Sequence, residues 1–323
     1  MIGRVASVTD TGRKRRHNED AYVVEPPLFA IADGMGGAQA GEVASRLAAA
    51  ALKESGAGAG GAERIVALIQ EANRRVYNRS STDPNTSGMG TTITVALVED
   101  DRVAFGHVGD SRAYLIRDGR MEQLTEDHSL VNELLKSGKL SQEEAESHPQ
   151  RSVITRALGT DPDVDVDTFS VPAQTGDIFL LCSDGLTDMV SEDAIFDVVE
   201  GNRDDIDGAL RALVRAANRG GGEDNITVVA FEISDVAVHD GRTEEQALPP
   251  ELRQKVEDEE TLDERDAVPV VDTAVVPTEE IQEEVAAEKR GRRRRLRRRL
   301  LAWLVLLLFI GAIAALVVWR LVT

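Results

Sequence analysis

Short apolar runs that stop on aspartate recur along this chain, and they restrict its fold more than any other feature. Phe29-Ala30-Ile31-Ala32 runs into Asp33-Gly34, and Val103 to Val108 runs into Gly109-Asp110-Ser111. Ile178 to Cys182 runs into Ser183-Asp184-Gly185, with Asp188 four residues later. Gly221-Gly222-Glu223-Asp224-Asn225 opens a further apolar run. Such runs, bounded by glycine and aspartate, read as strands. Strand ends hold side chains rigidly, and glycine lets backbone or ions approach closely. Any one of these residues would be an ordinary turn aspartate. As a set converging from distant parts of the chain, they would repel one another unless a cation lay between them. Oxygen-only ligation suits magnesium or manganese rather than zinc.

The elements between these points are of both kinds. Gly41 to Glu54 is alanine-rich and helical, and Ala62 to Arg79 places Ile65, Leu68, Ile69, Ala72 and Val76 at helical spacing. Strands are expected at Thr92–Val98, Arg102–Val108 and Ser111–Arg117, with turns at Asp100-Asp101 and, as a hairpin, at Asp118-Gly119. Ile178–Cys182 and Asn225–Ile233 are further strands, separated by helices over Glu192–Glu200 and Asp205–Asn218. Strand meanders interrupted by helix pairs indicate an α+β layered domain rather than alternating βαβ units.

Composition changes sharply along the chain. Residues 1–234 are mixed and periodic, as in a globular domain. Residues 235–288 form an acidic, proline-containing linker, with Glu257-Asp258-Glu259-Glu260, Pro249-Pro250, Pro269 and Pro277, and are expected to be disordered. Residues 289–299 are strongly basic. Leu300 to Trp319 then carries no charge, and twenty residues at 1.5 Å each cover the hydrocarbon core of a bilayer. Trp303 and Trp319 sit near its ends, where aromatic anchors are favoured. The expectation is one transmembrane helix, 300–319, in the cell membrane. The basic run on its N-terminal side attracts lipid headgroups and places residues 1–299 in the cytoplasm. The N-terminus has no long apolar stretch, so no cleaved signal peptide is expected. A net charge of −20 argues against general nucleic-acid binding. Cys182 is the one cysteine, so no intramolecular disulfide forms, and a buried core position accounts for it.

Taken in order, six segments carry a resemblance. They are Arg15-Arg16-His17-Asn18-Glu19-Asp20, Ala32-Asp33-Gly34-Met35-Gly36-Gly37, Gly88-Met89-Gly90-Thr91-Thr92, Val108-Gly109-Asp110-Ser111-Arg112, Cys182-Ser183-Asp184-Gly185-Leu186-Thr187-Asp188 and Asp224-Asn225-Ile226-Thr227. Together they resemble the ordered motifs of the PPM family, the metal-dependent type 2C serine/threonine phosphatases, in its bacterial membrane-anchored form. The resemblance covers residues 5 to about 233. It implies two stacked antiparallel sheets flanked by helices, an αββα sandwich. It also implies two manganese or magnesium ions and a weaker third. Asp33 would bridge two ions, the Gly34 carbonyl would bind one, and Asp184 and Asp224 would complete the first ion's protein ligands. Glu19 and Asp20 would act through metal-bound water or orient the site. Asp110 and Asp188 fall on the third ion's positions, and Arg15 on that of the arginine that grips the substrate phosphate. The implied partners are phosphoproteins, in particular membrane serine/threonine kinases and their substrates.

Two departures bear on this. Met35 stands where some members carry a histidine thought to protonate the leaving alkoxide. Arg13, Lys14, Arg15 and Arg16 compete for the phosphate-gripping role; Arg15 is preferred because it lies five residues before Asp20. A cysteine-based phosphatase needs arginine six positions after its cysteine, and Asp188 stands there. Gly34-Met35-Gly36-Gly37 lacks the lysine of a P-loop. The remaining alternative is a catalytically inactive, phosphoprotein-binding membrane module, which a missing metal carboxylate would have indicated; none is missing. Asp127 to Leu158 is read as a variable flap with a helical stretch near Leu130–Leu135, and His17, His128 and His148 as solvated rather than ligating.

Overall fold

The apolar runs are strands buried on both faces, and that decides the architecture. A computed structural model describes residues 2–36, 40–54, 61–141, 144–145 and 148–235. In chain order the first elements are β1 (Ile2–Asp10), β2 (Asp20–Glu25), β3 (Leu28–Met35), α1 (Ala40–Glu54) and α2 (Gly61–Thr82). There follow β4 (Gly90–Thr91), β5 (Ile93–Val98), β6 (Arg102–Val108), β7 (Arg112–Arg117), β8 (Arg120–Gln123) and α3 (Leu130–Lys136). The last are β9 (Asp167–Pro172), β10 (Ile178–Cys182), α4 (Asp184–Thr187), α5 (Glu192–Glu200), α6 (Ile206–Gly220) and β11 (Ile226–Ile233). One sheet has the order β1-β11-β10-β7-β8 and the other β2-β3-β5-β6-β9, with β4 paired to β3. The strand pairs are antiparallel.

Alternation along the central strands builds three apolar layers. Phe29, Ile31, Phe105, Phe179, Leu181 and Phe231 point between the sheets; Phe29 stacks on Phe231 with centroids 4.2 Å apart. The alternate residues Leu28, Ala30 and Ala32 face α1 and α2. Ile178, Leu180, Cys182, Val228 and Ala230 face α5 and α6. A strand covered on both faces is apolar at most positions, which is why these strands read as near-continuous runs. The result is the αββα sandwich that the resemblance implies. The Asp118-Gly119 hairpin is also present: Asp118 has φ +50° and Gly119 φ +70°, the pair of left-handed residues that a two-residue turn of this hand needs.

The strands that the pattern did not announce include β1, β2, β8 and β9, which are the sheet edges. Edge strands are only partly covered; β9 alternates half-buried and exposed residues, and β1 buries only Ala6. Their membership is set by pairing to a neighbour rather than by their own hydrophobicity. Apart from Asp235, the acidic linker 235–288 lies outside the described residues, as do the basic segment 289–299 and the apolar segment 300–319. Among the described residues no helix is long and apolar enough to cross a membrane.

Candidate active site

The two sheets bring their acidic strand ends to one place. In the second sheet Asp20, at the start of β2, pairs across the hairpin with Asp33 on β3. In the first sheet Asp184 follows β10 and Asp224 precedes β11, strands that are direct neighbours. Two hydroxyls tie the sheets together here: Ser183 Oγ and Thr227 Oγ1 donate to Asp20 Oδ2 at 2.9 and 2.6 Å. Thr227 N in turn donates to Ser183 Oγ at 3.0 Å. Asp33 is held by its backbone, N to Thr92 Oγ1 at 3.0 Å and O from Thr92 N at 2.8 Å.

Glu19 and Gly34 join this group through a close backbone approach. Gly34 N donates to Glu19 O at 3.2 Å. A Cβ on Gly34 would lie 2.1 Å from the Gly41 carbonyl oxygen. A Cβ on Gly41 would lie 2.7 Å from the Gly34 carbonyl oxygen and 2.8 Å from Glu19 Oε2. Both positions must therefore be glycine, and the Gly34 carbonyl and the Glu19 carboxylate face a common point. Sequence reasoning took Gly41 only as a helix start; its role depends on packing between α1 and β3.

The electrostatics are those of crowded carboxylates. Burial, then the charges of Asp20, Asp184, Asp110 and Asp224, hold Asp33 well above the ordinary carboxylate range. Asp184 is likewise raised well above it by burial and by Asp110, Asp224, Asp188 and Asp20. Burial pushes Asp20 up to about 6 even though Ser183 and Thr227 oppose the shift. Asp20 Oδ1 and Asp184 Oδ1 are buried with no hydrogen-bond partner among the described residues. Buried oxygens without donors, on carboxylates that repel one another, are the donor set of a hard divalent cation. Among the described residues no three His, Cys, Asp or Glu side chains close around one point to hold an ion by themselves. Magnesium centres do not need that, because one or two carboxylates per ion suffice when water fills the remaining positions. The residues present fit such ions.

The arginine loop meets the cluster at Asp224. Arg15 Nη2 donates to Asp224 Oδ2 at 2.5 Å, and its other guanidinium donors have no partner among the described residues. Arg13 turns away to Asp10, 3.6 Å distant. Of the four basic residues, Arg15 is the one whose guanidinium reaches the carboxylate cluster. Asn225, 3% exposed, pins the loop. Its Nδ2 donates to Thr11 O and His17 O at 2.9 and 3.0 Å, and its Oδ1 accepts from Glu19 N at 2.7 Å. The sequence displayed Asn225 within a motif but gave no role for it, since its partners lie 206 to 214 positions away.

Asp110 and Asp188 occupy the flank of the cluster nearest residues 127–158. Asp110 is pushed up to about 6, by burial and then by Asp127. Asp188 is exposed and lies 3.6 Å from Arg151. His128 corrects the expectation of a solvated histidine. It is 8% exposed, accepts from Gly109 N at Nδ1 (3.0 Å) and reaches Asp167 Oδ2 with Nε2 (3.1 Å). Its backbone N also donates to Gly109 O at 2.7 Å. A neutral ring protonated at Nε2 satisfies both contacts, and burial lowers its pKa. His128 therefore fastens the glycine next to Asp110 to the start of the flap. The helical stretch expected there is α3, capped by Ser129.

Residues 12–213 match the sequence profile of Protein phosphatase 2C. The serine/threonine phosphatase stp of Listeria welshimeri is 44% identical over 236 residues, which cover 69% of this chain and 93% of that protein. The crystal structure of the Mycobacterium tuberculosis serine/threonine phosphatase PstP/Ppp superposes with a TM-score of 0.69 at 39% identity, over 73% of this chain and 100% of that one. The catalytic domain of the serine/threonine protein phosphatase PstP in complex with two manganese ions superposes with a TM-score of 0.67 at 37% identity, over 72% of this chain and 99% of that one. With matching motifs, sandwich and carboxylate cluster, the chain belongs to the protein phosphatase 2C family, the metal-dependent serine/threonine protein phosphatases.

Proposed function

We propose that this chain hydrolyses phosphoserine and phosphothreonine in proteins, with water as the nucleophile and two manganese or magnesium ions as cofactors. The carrying observation is the half-buried carboxylate cluster with two buried oxygens lacking donors and Arg15 at its rim. In this reading Asp33, the Gly34 carbonyl, Asp184 and Asp224 would hold the two ions, with Asp33 shared between them. Glu19 and Asp20 act through water or orient the site, and Asp110 and Asp188 hold a weaker third ion. Bound divalent ions supply Lewis acidity, which makes water nucleophilic at neutral pH and offsets phosphoryl charge. Arg15 has guanidinium donors free to pair bidentately with phosphate oxygens and so aim phosphorus at the water. Ser183 and Thr227 occupy Asp20 Oδ2, which would leave Oδ1 free to serve a cation or its bound water. Met35 has no proton to give, so the leaving oxygen takes its proton from water. Cys182 is buried on the helix side of β10, and burial pushes its thiol up to about 12, so it is not a nucleophile.

The test is metal removal. Hydrolysis of p-nitrophenyl phosphate and phosphothreonine peptides by residues 1–234 is expected with manganese or magnesium and should fall to background in excess chelator. Undiminished turnover in chelator would refute the metal assignment.

The basic segment 289–299 and the apolar segment 300–319 support a membrane location, with the catalytic domain cytoplasmic and membrane serine/threonine kinases among its substrates. Confinement to one surface raises the encounter rate without altering the active site. Deleting residues 300–323 is expected to move the enzyme to the soluble fraction and leave peptide kinetics unchanged. It should slow dephosphorylation of membrane kinases more than of cytosolic proteins, and equal effects on both pools, read as phosphosite occupancy, would count against the tether.

A further inference from the structure

A cavity of about 700 Å³ opens beside the carboxylate cluster, and the chemistry above does not use it. Arg16, His17, Ala40, Arg79, Asp83 and Asn85 are among its lining residues. Two of its lining residues are chain neighbours of residues in the site. Arg16 follows Arg15, whose guanidinium reaches Asp224. Ala40 precedes Gly41, against which the Gly34 carbonyl and the Glu19 carboxylate pack. The charges in the cavity do not cancel. Arg79 pairs with Asp83 at 2.9 Å, whereas Arg16 is exposed and has no ion pair or hydrogen bond among the described residues. An unpaired guanidinium facing a cavity is a local anion site on a chain whose net charge is −20. An extended peptide advances about 3.3 Å per residue. A side chain within about three residues of a phosphoresidue held at Arg15 can therefore enter this cavity.

Resting on the phosphatase reading, we propose that the cavity is a substrate-recognition subsite that takes an acidic side chain, aspartate or glutamate, flanking the phosphorylated residue. Arg16 is its anchor, and Arg79 and Asp83 set how strongly positive it is. The subsite acts on the choice of phosphoprotein and not on the bond-breaking step, which Arg15 and the carboxylates serve.

The experiment uses the full chain with manganese and phosphothreonine peptides that differ only in carrying Asp, Ala or Lys at one of the three positions on either side. At one position or more, kcat/KM for the Asp peptide is expected to exceed that for Ala by about fivefold, the size of a partly exposed ion pair, with Lys lower still. Within each variant the Asp-to-Lys ratio cancels any change in basal turnover. Arg16→Ala should bring that ratio close to one. Arg79→Ala, which leaves Asp83 uncompensated, should also lower it, while its turnover of p-nitrophenyl phosphate, too small to reach the cavity, stays unchanged. Asp83→Asn keeps the amide-accepting oxygen and should raise the ratio. A wild-type enzyme indifferent to flanking charge, or a preference that survives Arg16→Ala, would overturn the subsite and leave the phosphatase reading intact. Absence of any phosphopeptide hydrolysis by the wild-type chain would sink both.

Discussion

Asp33→Asn is expected to lower kcat on phosphothreonine peptides by roughly 10³-fold, the rate equivalent of about 4 kcal/mol of lost Lewis-acid stabilisation. The effect should be this large because Asp33 is the carboxylate that most of the others crowd: Asp20, Asp184, Asp110 and Asp224 all raise its pKa after burial does. A group in that position either binds cations or destabilises the fold. The same substitution should therefore stabilise the metal-free protein, since it removes a carboxyl whose ionised form the cluster disfavours. The sign follows from linkage. A carboxylate with a raised folded-state pKa favours the fold below its ordinary value, 3.8 for Asp33, and loses that contribution as pH rises through the folded-state value. Near pH 7, above its ordinary value, Asp33 thus opposes folding, and asparagine does not. Calorimetry in chelator should show the Asp33→Asn variant melting higher than wild type, with weaker manganese uptake in titration. Retention of both ions and a near-normal rate would defeat the bridging role.

Arg15→Ala is expected to raise KM for phosphopeptides by about 10–100-fold, the value of hydrogen bonds between charged groups, with manganese occupancy preserved. Arg13→Ala should have little effect, because Arg13 points to Asp10. Asn225→Ala should reproduce part of the KM increase, since it frees both ends of the loop that presents Arg15 and leaves two carbonyls and an amide without their partner. It should also cost about 2–4 kcal/mol of stability, seen as a lower Tm. Combined with Arg15→Ala, its effect on KM should be less than multiplicative, because both changes act through one guanidinium. Fully multiplicative effects would show that Asn225 acts elsewhere. A KM increase from Arg16→Ala on p-nitrophenyl phosphate, without one from Arg15→Ala, would shift the phosphate grip by one residue.

Much of this site was legible in the chain itself because its residues are short-range signals. Asp33, Asp110 and Asp184 each follow an apolar run, and Asp224 precedes one, so their place at strand ends needed only local pattern. The central strands β3, β6, β10 and β11 were legible for a related reason: cover on both faces demands apolar residues at most positions. Helix α2 showed its buried stripe at helical spacing, and α1 its alanine-rich composition.

Tertiary structure alone decided the rest. The edge strands β1, β2, β8 and β9 carry no continuous apolar run, because a sheet edge is covered on part of its surface only, and they become strands by pairing. Arg15, unlike its basic neighbours, meets the carboxylate cluster through a contact 209 positions away. Gly41 and Asn225 gained their roles from backbone and side-chain approaches between elements that the chain separates widely. His128, polar and placed in a polar stretch, looked solvated until β6 and β9 closed over it and gave each ring nitrogen a partner. Local sequence determines which residues a strand end presents; which of them meet, and which are sealed from water, is a property of how the two sheets stack.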